Sequence, residues 1–319
     1  MNNSANLSIS KQTTTITTED GRLIVIHHWL ADSHSATSPS NGSFKGYLHI
    51  CHGMAEHIER YHDFARAMAA QGFYVFGHNH RGHGMNESLG HYADENGWQK
   101  TIIDTKAVQD AVITEQSLPV FMFAHSMGSF IAQGFAMRHG ERLSGLILSG
   151  SNYQHPFLYY AGRLVAQFEN LRLGMGKPSH VMDKLSFASF NSHFKPNRTE
   201  FDWLSRDPTQ VDQYIKDPLC GFVCSAETWR QLLGGLIEIS KPVNLNKIPA
   251  HLPLFLLGGD CDPVGRMGKG IPALANKLKQ SNHPQVDVKL YKDARHEMLN
   301  EICKLDVYQD VANWLQARL

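Results

Sequence analysis

Apolar positions along this chain fall into two alternating rhythms. Short runs at Gly46–Cys51, Phe73–Phe76, Val120–Ala124, Leu143–Leu148, Leu252–Leu257 and Val286–Leu290 predict strands, and the wholly apolar Val120–Ala124 a buried one. Between them lie longer stretches with helical spacing: Ile58–Gln71, stopped by Gly72; Trp98–Gln116, with Ile102, Val108, Ala111 and Val112 on one face; a stretch from Ser126 through Arg138, stopped by His139-Gly140; Ile271–Lys279; and Asn300–Leu319. Near the N-terminus, Thr13–Thr17 and Leu23–Trp29 flank the turn signal Thr18-Glu19-Asp20-Gly21 and predict a hairpin. Met1–Gln12 is expected to be loose, and the Ser-, His- and Pro-rich stretch Ala31–Gly42 to be a loop. Strands alternating with helices of this length imply a mostly parallel sheet with right-handed crossovers.

The rhythm breaks once. After Leu148 the next strand-like run is Leu252–Leu257, about a hundred residues on, whereas a crossover needs only about a dozen. The surplus, residues 153–243, is expected to be a helical cap inserted into a core made of residues 1–152 and 244–319. Its clearest pattern is the stripe Phe157, Ala161, Leu164, Phe168 and Leu171. That stripe either roofs an acyl pocket, rests on a lipid surface or packs the cap on the core; packing is the expectation.

Composition narrows the class. The 319 residues are 42% hydrophobic and 19% charged, and Lys+Arg and Asp+Glu both number 30. Such a balance favours neither nucleic acid nor an anionic surface as partner. Five cysteines, an odd number and mostly far apart, form no disulfide framework, and reduced thiols in a cytoplasmic protein are expected. The polar Met1–Thr18 stretch shows no signal peptide, and no apolar run is long enough to span a bilayer.

The chemistry begins at Ala124-His125-Ser126-Met127-Gly128, where a serine follows a buried strand and opens a helix. This is a close variant of the G-x-S-x-G nucleophile elbow, with Ala124 in place of the first glycine. Small neighbours are needed because strand and helix backbones approach closely there. A serine hydroxyl is a weak nucleophile until a base takes its proton, and that base is commonly a histidine oriented by a carboxylate. Both follow in the chain order Ser, Asp, His, each after a predicted strand. His296 lies in Asp293-Ala294-Arg295-His296-Glu297; Asp262 competes with Asp260 in Gly258-Gly259-Asp260-Cys261-Asp262-Pro263-Val264, and Pro263, by pinning the chain, favours Asp262. Ser126, Asp262 and His296 are therefore the expected triad. The expected oxyanion donors are the backbone N–H groups of Met127, next to the nucleophile, and of Met54, in the loop after the third strand.

These motifs resemble those of the monoacylglycerol lipase and bacterial lysophospholipase family. His52-Gly53-Met54-Ala55-Glu56-His57 with Arg60-Tyr61 is similar to its H-G-x-x-E-H-x-x-R-Y stretch, and Arg81-Gly82-His83-Gly84 to its R-G-H-G loop. The elbow resembles its G-H-S-M-G, and Gly259–Gly265 and Ala294–Glu297 complete the set. Within the insertion, Thr199–Asp207 and Asp217–Phe222 resemble a lysophospholipase-like bacterial branch, so the likeness spans about residues 20–319. Ala124 and Asn79-His80 depart from the pattern. The resemblance implies an α/β-hydrolase fold with a cap, hydrolysis of acyl esters of glycerol or lysophospholipids, no cofactor and no metal. Its partners would be a small acyl ester and, through the cap, a membrane surface touched transiently.

Other readings compete. His78-x-His80-x-x-His83 is similar to a metallo-hydrolase ligand run, but Gly82 stands where an aspartate is needed and no second ligand cluster completes it. Cys220 and Cys224 lack partners for a zinc site and read as structural. Glu56 and His57 either buttress the oxyanion loop or cap the helix from Ile58; Arg81 is expected to tie loops together. A serine peptidase or C–C hydrolase would share the triad and differ in the pocket. A peptidase of this build needs acidic residues in the cap to hold a substrate amine, and the sequence places no such cluster.

Overall fold

The computed structural model describes residues 9–31, 44–85 and 87–319. Of the loop expected over Ala31–Gly42, residues 32–42 lie outside that range, as do the first eight residues; Ala31, and Ile9–Gln12, expected to be loose, instead pair in the first two strands. The hairpin is β1 (Ile9–Thr17) and β2 (Leu23–Ala31), followed by β3 (Gly46–Cys51), α1 (His62–Ala70) and β4 (Phe73–His78). Then come α2 (Gly97–Val112), β5 (Val120–His125), α3 (Met127–His139) and β6 (Gly145–Ser149). The chain returns to the sheet with β7 (Leu254–Gly259), α-helix Gly270–Gln280, β8 (Val286–Tyr291) and a last helix, Lys304–Gln316.

Eight strands form one sheet in the order β1-β2-β4-β3-β5-β6-β7-β8. β1 and β2 are antiparallel to their neighbours, and β4 through β8 pair in parallel. The pleat sends alternate side chains to opposite faces. On β5, Met122 and Ala124 join the core layer beneath α2 and α3, while Phe121 and Phe123 join the layer beneath α1 and the last helix. Both faces of β3 through β7 are covered, which explains why those strands read as near-continuous apolar runs, whereas the edge strand β8 is exposed from Asp287 to Leu290. The sequence overextends α2 by four residues, because Ile113 turns to extended backbone. Ala111, expected on its buried face, is exposed, and Asp104, Thr105 and Gln109 are buried instead.

Between β6 and β7 the chain forms α4 (Pro156–Leu173), short helical turns over 180–194, α5 (Pro208–Lys216) and α6 (Ala226–Ser240). α4 buries Tyr159, Ala166 and Glu169 and packs along α6, which in turn lies on α2 and α3. The stripe expected to pack inward does not: Phe157 is 69% exposed, Leu164 59%, Phe168 64% and Leu171 75%. α6 shows the stronger amphipathic burial, with Trp229, Leu232, Leu233, Leu236 and Ile237 inward.

Candidate active site

Ser126, Asp262 and His296 follow β5, β7 and β8, all at the carboxyl edge of the sheet. Neighbouring parallel strands end at that rim, so loops far apart in sequence meet there. Ser126 has φ 50° and ψ −121°, a strained conformation for a residue with a Cβ, and its N–H donates to the Ser149 carbonyl at 2.8 Å. Gly128 is required beside it: a Cβ there would sit 2.4 Å from the His52 carbonyl oxygen. Ala124 is fully buried among the core residues under α3, so its extra methyl is accommodated by the sheet layer.

The Ser126 hydroxyl lies 2.8 Å from His296 Nε2, and His296 Nδ1 lies 3.0 Å from Asp262 Oδ2. The other Asp262 oxygen accepts the Val264 N–H at 2.9 Å, which fixes the carboxylate just past Pro263. Asp260 takes no part; its buried Oδ1 has no hydrogen-bond partner. Burial pushes the His296 imidazole towards its neutral form, but the charge and hydrogen bond of Asp262, with Glu297 and Glu56 behind, outweigh that and raise its pKa above the ordinary value. His125, buried against His296 with ring centroids 4.7 Å apart, is pushed down to about 4 by burial and by His296 itself.

The loop after β3 is tied at alternate amides. The Gly53 N–H donates to Glu56 Oε1, and the Ala55 N–H to His83 Nε2 at 3.1 Å. The Met54 N–H between them, like that of Met127, donates to no other group among the described residues. Two free amides beside a serine hydroxyl can receive a developing oxyanion. Glu56 therefore buttresses this loop; it also accepts from the Tyr61 hydroxyl at 2.7 Å and from Arg60 at 2.6 Å. His57 makes no cap and pairs with Asp217 instead.

Arg60 has no role assigned by sequence reasoning, yet it joins two loops. It donates to both oxygens of Glu297, beside His296, at 2.6 and 2.7 Å, and lies over the Tyr214 ring. The Tyr214 hydroxyl in turn donates to the Ala55 carbonyl at 2.9 Å. Only the matched positions in Arg60-Tyr61 and His296-Glu297 hinted at this. Arg81 does tie loops, through Asp20 and Asp104.

Of the histidines that resemble a metal-ligand run, His83 does structural work: its Nδ1–H donates to the Arg81 carbonyl and its Nε2 accepts the Ala55 N–H. His52, outside that run, donates from Nδ1–H to the Gly53 carbonyl and accepts the His80 N–H at Nε2. Burial holds both near a pKa of about 3, so they are neutral. The ring nitrogens of His78, His80 and His83 do not gather around a common point. All five cysteines are free.

A cavity of about 620 Å³ opens onto Ser126. Phe187, Phe201, Trp203, Leu204 and Phe222 give it aromatic and aliphatic walls, and Trp203 lies 5.2 Å from the His296 ring. Asp183, Lys184, Lys195 and Glu200 also line it. A cavity with such aromatic and aliphatic walls beside a hydroxyl within reach of an imidazole can hold an acyl group and transfer it to the serine.

A protein family described as "Serine aminopeptidase, S33" matches residues 42–302. The chain is 25% identical over 283 residues to a monoacylglycerol lipase of Mycolicibacterium smegmatis, covering 86% of this chain and 89% of the relative. It is 26% identical over 310 residues to the monoglyceride lipase of Homo sapiens, covering 94% and 88%. Among solved structures, a thermostable carboxyl esterase from Bacillus coagulans in complex with glycerol is 26% identical, with a TM-score of 0.83 over 97% of this chain and 98% of that one.

Proposed function

Because this chain belongs to the family described as Serine aminopeptidase, S33, we propose that it is a serine hydrolase cleaving carboxylic esters of glycerol or of lysophospholipids. The observation that carries this reading is the unbroken chain of contacts from Ser126 through His296 to Asp262, at 2.8 and 3.0 Å, at the end of a cavity walled in part by aromatic side chains. The names of the relatives, monoacylglycerol and monoglyceride lipases, support the ester class.

In this mechanism Ser126 attacks the acyl carbonyl as His296 Nε2 takes its proton. The Met54 and Met127 N–H groups hold the oxyanion. Asp262 keeps the imidazole in the right tautomer and stabilises its charged form. His296 then protonates the leaving alcohol, and water, activated by the same imidazole, releases the acyl group. No step calls for a cofactor or metal. The helices of residues 153–243 act as a cap that walls the acyl cavity through Phe187, Phe201 and Trp203.

The exposed face of α4 supports transient contact with a lipid surface. Phe157, Leu158, Tyr160, Leu164, Phe168 and Leu171 are each at least half exposed, on a helix with few charges. No helix among the described residues is long and apolar enough to cross a membrane.

A second reading, an aminopeptidase, has one observation in its favour: Asp183 and Glu200 both line the cavity, acidic groups that the sequence did not bring together. Lys184 and Lys195 line the same cavity and offset their attraction for an amine. The test is a series of nitrophenyl esters of rising chain length, monoacylglycerols, lysophosphatidylcholines and aminoacyl anilides, on wild type and Ser126→Ala. Ester turnover lost in the variant is expected. Turnover that survives it, or turnover of anilides alone, overturns the ester reading.

A further inference from the structure

A second cluster of reactive side chains lies outside the serine chemistry. His57, Asp217 and Cys220 bring an imidazole nitrogen, a carboxylate oxygen and a thiol sulfur within 4.8 Å of one another. His57 belongs to the loop after β3; Asp217 and Cys220 form the turn after α5. The Asp217 carboxylate lies 2.8 Å from His57 Nε2, and the His57 side chain is 7% exposed.

A nitrogen, an oxygen and a sulfur ligand brought together in this way match the preferences of zinc among the available divalent ions.

We propose that His57, Asp217 and Cys220 form a regulatory zinc site that lowers turnover when occupied. His57 Nε2, one Asp217 oxygen and the Cys220 thiolate supply three ligands and water the fourth. Binding displaces the Cys220 proton to solvent and moves the His57 Nε2 proton, which faces Asp217, to Nδ1; the freed nitrogen and the thiolate donate their electron pairs to the ion, and nothing is oxidised.

Occupancy reaches the oxyanion loop through bonds already present. Zinc–ligand distances of about 2.0–2.3 Å place tetrahedral ligand atoms roughly 3.3–3.7 Å apart, so His57 Nε2 and the Asp217 carboxylate, 2.8 Å apart without the ion, must separate to admit it. The Gly221 N–H, next to Cys220, donates to the Ala55 carbonyl at 2.9 Å, and Ala55 follows Met54. That separation shifts the turn after α5 against the loop after β3 and so displaces the amide assigned to the oxyanion, where a shift of about 1 Å can cost on the order of a hundredfold in rate.

Cobalt(II), a spectroscopic stand-in for zinc, tests the site on the full chain. Wild type is expected to develop a thiolate-to-cobalt absorption band, Cys220→Ser to lose it, and Asp217→Asn to bind more weakly. Cys261→Ser is the control, since Asp260, Cys261 and Asp293 form the other such group among the described residues. The band should persist there. A band that survives in Cys220→Ser, or no band in wild type, overturns the site.

The regulatory half rests on the ester reading above and has its own readout. Zinc should slow nitrophenyl ester hydrolysis roughly tenfold or more in wild type, and much less in Cys220→Ser, whose basal rate should be unchanged. Equal inhibition of both, or none, overturns the regulation while the cobalt band still decides the site. Absence of ester turnover in every variant would count against the proposed function alone.

Discussion

Arg60 grips Glu297 with two nitrogens, at 2.6 and 2.7 Å, and so joins the loop that carries Met54 to the loop that carries His296. The same guanidinium holds Glu56, so one cation compensates two buried carboxylates. Removing it leaves both uncompensated. Arg60→Met should destabilise the fold by about 3–5 kcal/mol, read by urea denaturation. Its kcat should fall more than its KM changes, because the loops that drift carry the reacting groups. Arg60→Lys should recover part of the stability and little of the rate, having no fork to span Glu297.

Ser126 is held in strained backbone for a residue with a side chain. Ser126→Gly should therefore be more stable than wild type by about 1 kcal/mol, since glycine adopts that φ without strain. It should also be inert towards esters. Calorimetry with a nitrophenyl ester assay checks both; a less stable glycine variant would contradict the strain argument.

The raised pKa of His296 has a signed consequence for rate. The proposed base must be neutral to accept the serine proton, so kcat/KM should rise with pH along a limb whose midpoint lies above the ordinary histidine value of 6.5. Asp262→Asn removes the main group holding it up. That variant should move the limb to lower pH while losing roughly four orders of magnitude in kcat.

Acid should unfold this protein through its buried imidazoles. Burial lowers His49, His52 and His83 to about 3 from 6.5. Their contribution is complete above 6.5, where both folded and unfolded forms are neutral, and is lost as pH falls towards 3 because the unfolded chain takes up protons first. Each imidazole should contribute a slope of about 1.4 kcal/mol per pH unit in that window. Denaturation midpoints measured from pH 7 to pH 4 test this; a flat profile would show that these rings become protonated in the folded state.

The exposed side chains of α4 offer a clean separation of stability from surface binding. Phe157→Asp with Phe168→Asp alters two side chains that are 69% and 64% exposed, so the change in stability should stay within about 0.5 kcal/mol. Sedimentation with phosphatidylcholine vesicles should fall, and hydrolysis of a short soluble ester should not. Equal vesicle binding by both proteins would remove the case for this face as the contact.

Much of this was readable along the chain. The strands are local signals, apolar runs closed by glycine or proline, and in a parallel sheet their carboxyl ends share one rim. Ser126, Asp262 and His296 could thus be placed together from order alone, and Pro263 pointed to Asp262 over Asp260. Burial on both faces is what makes such strands legible, since every position must then be apolar.

The tertiary structure decided what depends on partners distant in sequence. The stripe on α4 has helical spacing whether it faces the core or water, and only the packing of Tyr159, Ala166 and Glu169 against α6 turned it outward. Likewise Glu56 could have capped a helix; it holds the loop after β3 and pairs with Arg60, which also reaches Glu297, 237 residues further along the chain. A sequence pattern reports the surface an element can bury, whereas the neighbours that three-dimensional packing supplies determine which surface it does bury.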